Sequence, residues 1–211
     1  LVEFIKKSPF KKFDKGEILL NEGDEPKKLF AIKQGYVKVT ALNNTGAEQL
    51  LWIAGSRDVV PAESLFSIGG VVKFFYTACT DTVAYEVDKA SFLESAHKNA
   101  DLMNEIARTI GGYHDRLLHR VHATGQAAVR SKILHALHDL ARQLDSEAAD
   151  VDLVAKGLCL THKDIADMVG ATRETVSVEL HRLRRKRLVS YNRRKFVIYT
   201  NKIAALIANE T

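Results

Sequence analysis

The sequence predicts an α+β protein in which a β-rich domain, one long helix and a small helical domain follow each other along the chain. Three observations carry this. Short apolar runs separated by glycine-bearing turns fill residues 10–90. An apolar stripe then recurs at helical spacing from Leu102 to Val121. Last, two short helical patterns joined at Gly170 precede a basic hairpin. Strands gathered first and helices gathered after them point to α+β rather than to alternating α/β architecture.

In the first region the runs Leu29–Ile32, Tyr36–Val39 and Leu50–Ile53 are bounded by turn signals. These are Asp14-Lys15-Gly16, Glu22-Gly23-Asp24, Gln34-Gly35, Asn43-Asn44-Thr45-Gly46 and Ala54-Gly55. Many short strands between glycine turns predict a barrel, roll or sandwich. Ser91-Phe92-Leu93-Glu94 reads as a short helix. Leu102, Ile106, Ile110, Tyr113, Leu117 and Val121 then fall on one side of a longer helix, with Asp101, Glu105, Asp115, Arg116 and Arg120 off that side. Such a stripe packs either on its own β-domain or against a second copy of the chain, and its length favours the dimer seam. Gly111-Gly112 weakens the helix, each Gly costing roughly 1 kcal/mol relative to Ala. Ala123-Thr124-Gly125 reads as a hinge. A second helix follows with Val129, Ile133, Leu137, Leu140 and Leu144 on one face, and Ser146 to Gly157 is a polar connection with room for a short strand. The expected domains are 1–97, the helix 98–123, and 124–211.

Composition narrows the function classes. The chain has 211 residues and a net charge of +5. Residues 160–211 hold eleven Lys/Arg against five Asp/Glu, so the remainder carries −1 and the whole excess lies in the last quarter. That placement suggests local contact with a polyanion. No apolar run reaches the ~18 residues of a membrane helix. Leu1–Lys7 lacks the order of a signal peptide and, lacking Met, is expected to follow further residues; the reading is cytoplasmic, without membrane contact. Two distant cysteines, Cys79 and Cys159, match no zinc spacing and cannot hold a four-cysteine iron–sulfur cluster. No nucleophile–base pair, phosphate loop or spaced acid pair marks an enzyme.

The most informative stretch runs from Thr161 to Arg187. Thr161 suits a helix N-cap, with Asp164 three residues on at the positive helix end. Ile165, Ala166 and Val169 form a buried face, and Gly170 supplies a left-handed turn. A second helix starts near Thr172 with Val176, Leu180 and Leu183 inward. Its outer face carries Arg173, Glu174, Ser177, Val178 and His181. This is the two-helix turn whose second helix enters the major groove. Arg173 can donate twice to guanine, Glu174 can accept from cytosine N4, and Val178 can touch a thymine methyl, with Ser177 as a further base reader. Phosphate contacts are expected from Thr161, His162, Thr172, Thr175, Arg182, Arg185, Arg193, Arg194 and Lys195. Leu188–Tyr191 and Phe196–Tyr199, joined by Asn192–Lys195, read as a β-hairpin wing with a basic tip.

The segment Leu160-Thr-His-Lys-Asp-Ile-Ala-Asp-Met-Val-Gly-Ala-Thr-Arg-Glu-Thr-Val-Ser resembles the recognition signature of the Crp/Fnr superfamily of bacterial transcription regulators. Independently, Lys15-Gly16-Glu17, Glu22-Gly23-Asp24, Phe30-Ala31-Ile32, Gly35–Val39, Gly46 and Gly55 resemble a cyclic-nucleotide-binding-type β-roll. The resemblance covers nearly the whole chain. It implies a β-roll of the double-stranded jelly-roll type, a central dimerisation helix and a winged helix-turn-helix. It also implies a homodimer on palindromic double-stranded DNA, contact with RNA polymerase, and a small-molecule effector sensed in the roll; whether the regulator is an activator or a repressor stays open.

The sequence departs from the nucleotide-binding members. There, a Gly-Glu pair meets the ribose and an Arg-Ser pair the cyclic phosphate. Anchored on Asp58, Leu65-Phe66 and Ala78, those positions fall on Pro61-Ala62 and Val72-Lys73. Ala and Val cannot make the bonds, and a buried phosphate left unpaired is costly. Glu63 or Lys73 could restore one contact after a one-residue shift. The helix hydroxyls that meet the purine appear as Leu117 and Leu118. The expectation is therefore no cyclic-nucleotide response, with Ala62, Glu63, Val72, Lys73, Leu117 and Leu118 as the effector region. Lys73 beside Phe74-Phe75-Tyr76 either faces an anionic effector or lies on a strand edge. Haem ligation by one of His114, His119, His122, His135 or His138, redox switching at Cys79, and constitutive DNA binding with a merely structural roll stay open. No metal site is expected.

Overall fold

The computed structural model describes residues 5–210 apart from 6, 45, 57, 66–69, 146 and 193. Among the residues named above, Leu1–Phe4, Lys6, Thr45, Phe66, Ser146 and Arg193 therefore lie outside the described residues. The chain divides into two compact units, Leu1–Asp115 and Arg116–Thr211.

Among the described residues, unit one holds eight strands: β1 (Phe10–Phe13), β2 (Ile18–Leu20), β3 (Lys28–Gln34), β4 (Val37–Leu42), β5 (Glu48–Ala54), β6 (Val59–Val60), β7 (Phe75–Ala78) and β8 (Thr82–Asp88). They form two antiparallel four-stranded sheets, ordered β1-β8-β3-β6 and β2-β7-β4-β5. The interior between them is built from both sheets, including Phe13, Phe30, Ile32 and Ala84 from the first and Leu20, Val37, Val39 and Tyr76 from the second. Alternation along β3 explains how that strand serves two cores. Phe30 and Ile32 face the roll interior, while Leu29 and Ala31 face a second cluster with Val87, Phe92 and Leu102. The β3–β4 turn needs Gly35. Its φ is +88°, and a Cβ there would lie 2.4 Å from the Asp81 carbonyl oxygen.

Two helices follow β8: α1 (Lys89–His97), capped by Asp88 accepting from the Ser91 amide, and α2 (Ala100–Gly125). The apolar stripe of α2 is not one continuous seam. Leu102 and Ile106 are buried in the second cluster of unit one, with Ile110 packed against it. Tyr113 reaches the Val59 backbone, its hydroxyl accepting from the amide at 2.8 Å. Of the residues expected in the dimer seam, Leu102 and Ile106 are thus buried within unit one, and Ile110 and Tyr113 are half-buried there. The apolar faces of β3, α1 and the 3-10 turn Ala62–Leu65 lie within reach and cover them. Leu117, Leu118 and Val121 are 44%, 53% and 67% exposed. Ala123–Gly125, expected as a hinge, is helical, and Ala123 is buried; the non-helical residues are Gln126–Ala128.

Unit two continues with α3 (Val129–Leu144), β9 (Val151–Asp152), α4 (His162–Val169), α5 (Arg173–Arg185), β10 (Val189–Asn192), β11 (Lys195–Ile198) and α6 (Thr200–Glu210). Ile133, Leu134, Leu137, Ile165, Leu180, Leu183 and Ile203 are fully buried in it. The wing is three-stranded, ordered β10-β11-β9, because the short strand of the polar connection pairs with β11. The sequence reading missed α6, although Ile203, Leu206 and Ile207 repeat at helical spacing.

Candidate nucleic-acid interface

The two-helix turn is locked at every joint. Thr161 caps α4 through a capping box: its side chain accepts from the Asp164 amide, and the Asp164 carboxylate accepts from the Thr161 amide at 2.7 Å. Gly170 ends α4 in the left-handed conformation, with φ of 63°. Thr172 caps α5, accepting from the Thr175 amide. Val176, Leu180 and Leu183 are completely buried, which turns the opposite face of α5 outward. Arg173, Glu174 and Val178 are exposed there, Val178 by 53%. An exposed valine one helical turn from Glu174 and from Arg182 is an apolar contact point on a polar face.

The structure brings only some of the expected residues to that face. Ser177 is half-buried: its hydroxyl donates to the Arg173 carbonyl at 2.8 Å and meets His162 Nδ1 at 2.8 Å. With its only proton used, Ser177, expected as a base reader, is left with acceptor capacity alone, and His162 Nδ1 carries the hydrogen in that contact. His162 also stands edge-on to Tyr191 of the wing, at 5.5 Å between ring centres. Burial, and then the Arg173 charge, hold its pKa below the usual imidazole value. The Thr161 hydroxyl is likewise committed, donating to Asp164 at 2.6 Å. Thr172 and Thr175 share a hydroxyl–hydroxyl contact at 2.9 Å and are exposed. Arg182, Arg185, Arg194 and Lys195 are exposed.

Beneath the wing, Tyr191 stacks on Phe196, and the Arg184 guanidinium lies 5.0 Å over the Tyr191 ring. Arg120 of α2 donates to the Met168 carbonyl near the end of α4. Burial lowers the Arg120 pKa to about 10, the Asp139 charge opposing the shift, so the guanidinium stays charged near neutrality. A cation at the carbonyl end of a helix complements its dipole. The periodicity gave no sign of this role, since Arg120 read only as a residue off the apolar stripe.

Comparison with known proteins agrees with this geometry in both units. Residues 10–99 match the model of the cyclic nucleotide-binding domain, and residues 131–208 match that of the Crp-like helix-turn-helix domain. The chain belongs to the Crp/Fnr family of DNA-binding transcription regulators. Relatives of this Crp/Fnr regulator include the cAMP-activated global transcriptional regulator CRP of Salmonella typhimurium, 23% identical over 188 residues, covering 89% of this chain and 88% of the relative. The fumarate and nitrate reduction regulatory protein of Escherichia coli is 22% identical, covering 95% of this chain and 79% of its own. In fold, the regulator is similar to FixK2 from Bradyrhizobium japonicum, with a TM-score of 0.80 at 19% identity over 94% of this chain and 96% of that one.

The expected effector region of the Crp/Fnr roll is apolar at two of its positions. Ala62 and Val72 are buried and bring no side-chain donor. The Val72 amide and carbonyl are taken up by Asp24 and Gly23 at 2.8 and 2.9 Å. Lys73, expected in the same region, is exposed beside buried Val72. Glu63 is engaged instead by Tyr76, whose hydroxyl donates to it at 2.5 Å. Burial, and then that carboxylate, push the fully buried Tyr76 phenol above its ordinary range. Cys79 is half-buried and donates to the Tyr36 carbonyl at 3.3 Å. His122 and His135 meet edge-on at 5.0 Å between ring centres. Among the described residues no group of three His, Cys, Asp or Glu side chains is arranged to hold a metal ion, and no helix is long and apolar enough to cross a membrane.

Proposed function

We propose that this regulator binds a two-fold-symmetric operator as a homodimer, placing α5 of each protomer in successive major grooves. The observation that carries the reading is the outward N-terminal face of α5: Arg173, Glu174 and Val178 exposed on a helix capped and buried on its other side. Arg173 then reads guanine O6 and N7, Glu174 accepts from cytosine N4, and Val178 touches a thymine methyl. Arg182, Arg185, Arg194 and Lys195 meet phosphates. Dimerisation uses the exposed apolar residues Leu117 and Val121, one helical turn apart, together with Leu118. Each half-site is separated by about 34 Å, one turn of DNA.

For the roll, the apolar character of Ala62 and Val72 and the Tyr76–Glu63 bond favour an effector other than a cyclic nucleotide. The same observations support a second reading, a constitutive factor whose roll is structural. Selection of bound sequences from a random DNA pool tests the interface. The wild type is expected to yield a palindrome. Glu174→Ala is expected to retain binding but lose about 1–3 kcal/mol of preference at one base pair in each half-site. An unchanged palindrome in the variant would remove Glu174 from the readout. Cyclic AMP that raises the melting temperature at micromolar concentration would overturn the effector reading, since a bound ligand stabilises by mass action.

A further inference from the structure

Away from the reading face of α5, the start of α3 and the second half of α5 wall a cavity of about 430 Å³, lined by Arg130, Glu179, Arg182, Leu183, Arg185 and Lys186. Four of these six side chains are cationic and one is acidic. That acid, Glu179, is already paired with Arg182 at 2.5 Å. Arg182 and the C-cap residue Lys186 carry like charges four residues apart, an unfavourable spacing.

A merely structural account covers only part of the cluster. Arg182 and Arg185 stand in the last turn of α5, where cations complement the helix dipole. Arg130 stands in the first turn of α3, where that rule asks for an acid. The turn contains no acidic residue, and its N-cap Ala128 supplies no side-chain acceptor to the first amides. An arginine in a helix start that has no acid, and three further cations, thus line one cavity. All of these favour an anion there, with several oxygens to meet several donors.

We propose that this cavity is a phosphate-binding cleft for the DNA backbone outside the bases read by α5, with Arg130 and Lys186 as contacts added to Arg182 and Arg185. The assignment rests on the reading that the protein binds duplex DNA, since α5 supplies both the base-reading face and one wall of the cleft. The cleft adds affinity without choosing sequence, because backbone contacts carry no base information.

The test compares the wild type with the double variant Arg130→Gln/Lys186→Gln on the selected operator, as a long duplex and as one trimmed to the read bases, over a salt series. On the long duplex the variant is expected to lose tenfold or more in affinity, and its slope of log affinity against log salt to fall by about three to four, roughly 0.9 for each of the phosphate contacts that the two protomers lose. On the trimmed duplex the two proteins are expected to converge, with identical base preference. Arg130→Lys, which keeps the charge, is expected to restore most of the slope. An unchanged slope in a variant that melts like the wild type overturns the cleft while leaving DNA binding in place. A wild type that binds no duplex selectively overturns the DNA reading and the cleft with it.

Discussion

His162 touches three elements at once. It lies in the first turn of α4, hydrogen-bonds Ser177 of α5 and meets Tyr191 of the wing. From the sequence it read as a phosphate contact, because a basic residue beside a helix start in a basic region has that chemistry. What the sequence could not disclose is that Ser177, fifteen positions away, returns to the same point. That return depends on the Gly170 turn and the crossing of α4 on α5, both long-range outcomes. The consequence is a pH dependence. In the unfolded chain the imidazole protonates near pH 6.5; in the fold, burial and then Arg173 hold its pKa lower. Below pH 6.5 the unfolded state therefore binds more protons than the folded one, and stability falls as pH drops from 6.5 through the lowered folded value. Above 6.5 this contribution is complete and flat. Urea denaturation across pH 4.5–8, a range chosen to span roughly the imidazole titration, should show a steeper acid-side loss for the wild type than for His162→Gln. Parallel curves would remove His162 as its source.

Elements with strong periodicity and caps were legible before the fold was seen. Thr161, Gly170 and Thr172 punctuate α4 and α5 where their side chains and backbone preferences require, and the structure finds them at those joints. The helix α2 was legible as a helix but not in its partners. An apolar stripe states that a face is covered, not what covers it, and Leu102 and Ile106 found cover within their own domain. The end of α5 was hidden for another reason. Arg187 adopts φ of 56°, a left-handed conformation normally left to glycine, inside a run of basic residues that looked continuous. There the Leu188 amide bonds to the Leu183 carbonyl and the Arg187 amide to that of Arg184, a Schellman closure. A side chain in that conformation costs roughly 1 kcal/mol relative to glycine. Arg187→Gly should accordingly raise the stability of the winged unit by about 1 kcal/mol in chemical denaturation. A loss of stability would show that the arginine side chain contributes more than its backbone strain takes away.

At the scale of the whole molecule, two family signatures in order and a charge excess confined to the last quarter were enough to read a regulator with a separate sensor and DNA-binding region. Which side chains meet inside the roll was not legible, because they converge from β7 and the 3-10 turn, well apart in the chain. Tyr76 shows this. It read as one aromatic in a run, yet it is fully buried and bonded to Glu63. The assembly is the other property carried only by the whole. Exposed leucine and valine on the second half of α2 predict that Leu117→Asp/Val121→Asp converts a dimer to a monomer in sedimentation, with operator affinity reduced at least a hundredfold on losing the second half-site. A variant that sediments as the wild type does would place the dimer contact elsewhere.

The Schellman closure at Arg187 also limits how this protein can change in evolution. It hands the chain from α5 to β10 in one direction, set by where the helix stops. An α-helix advances about 100° per residue, so one residue inserted or deleted within α5 would swing the wing by that angle around the helix axis. It would then part Tyr191 from His162. Changes of three or four residues come close to restoring the phase, and single-residue changes do not. Substitution on the outward face of α5 is therefore the open route to new operators, whereas alteration of its length is closed.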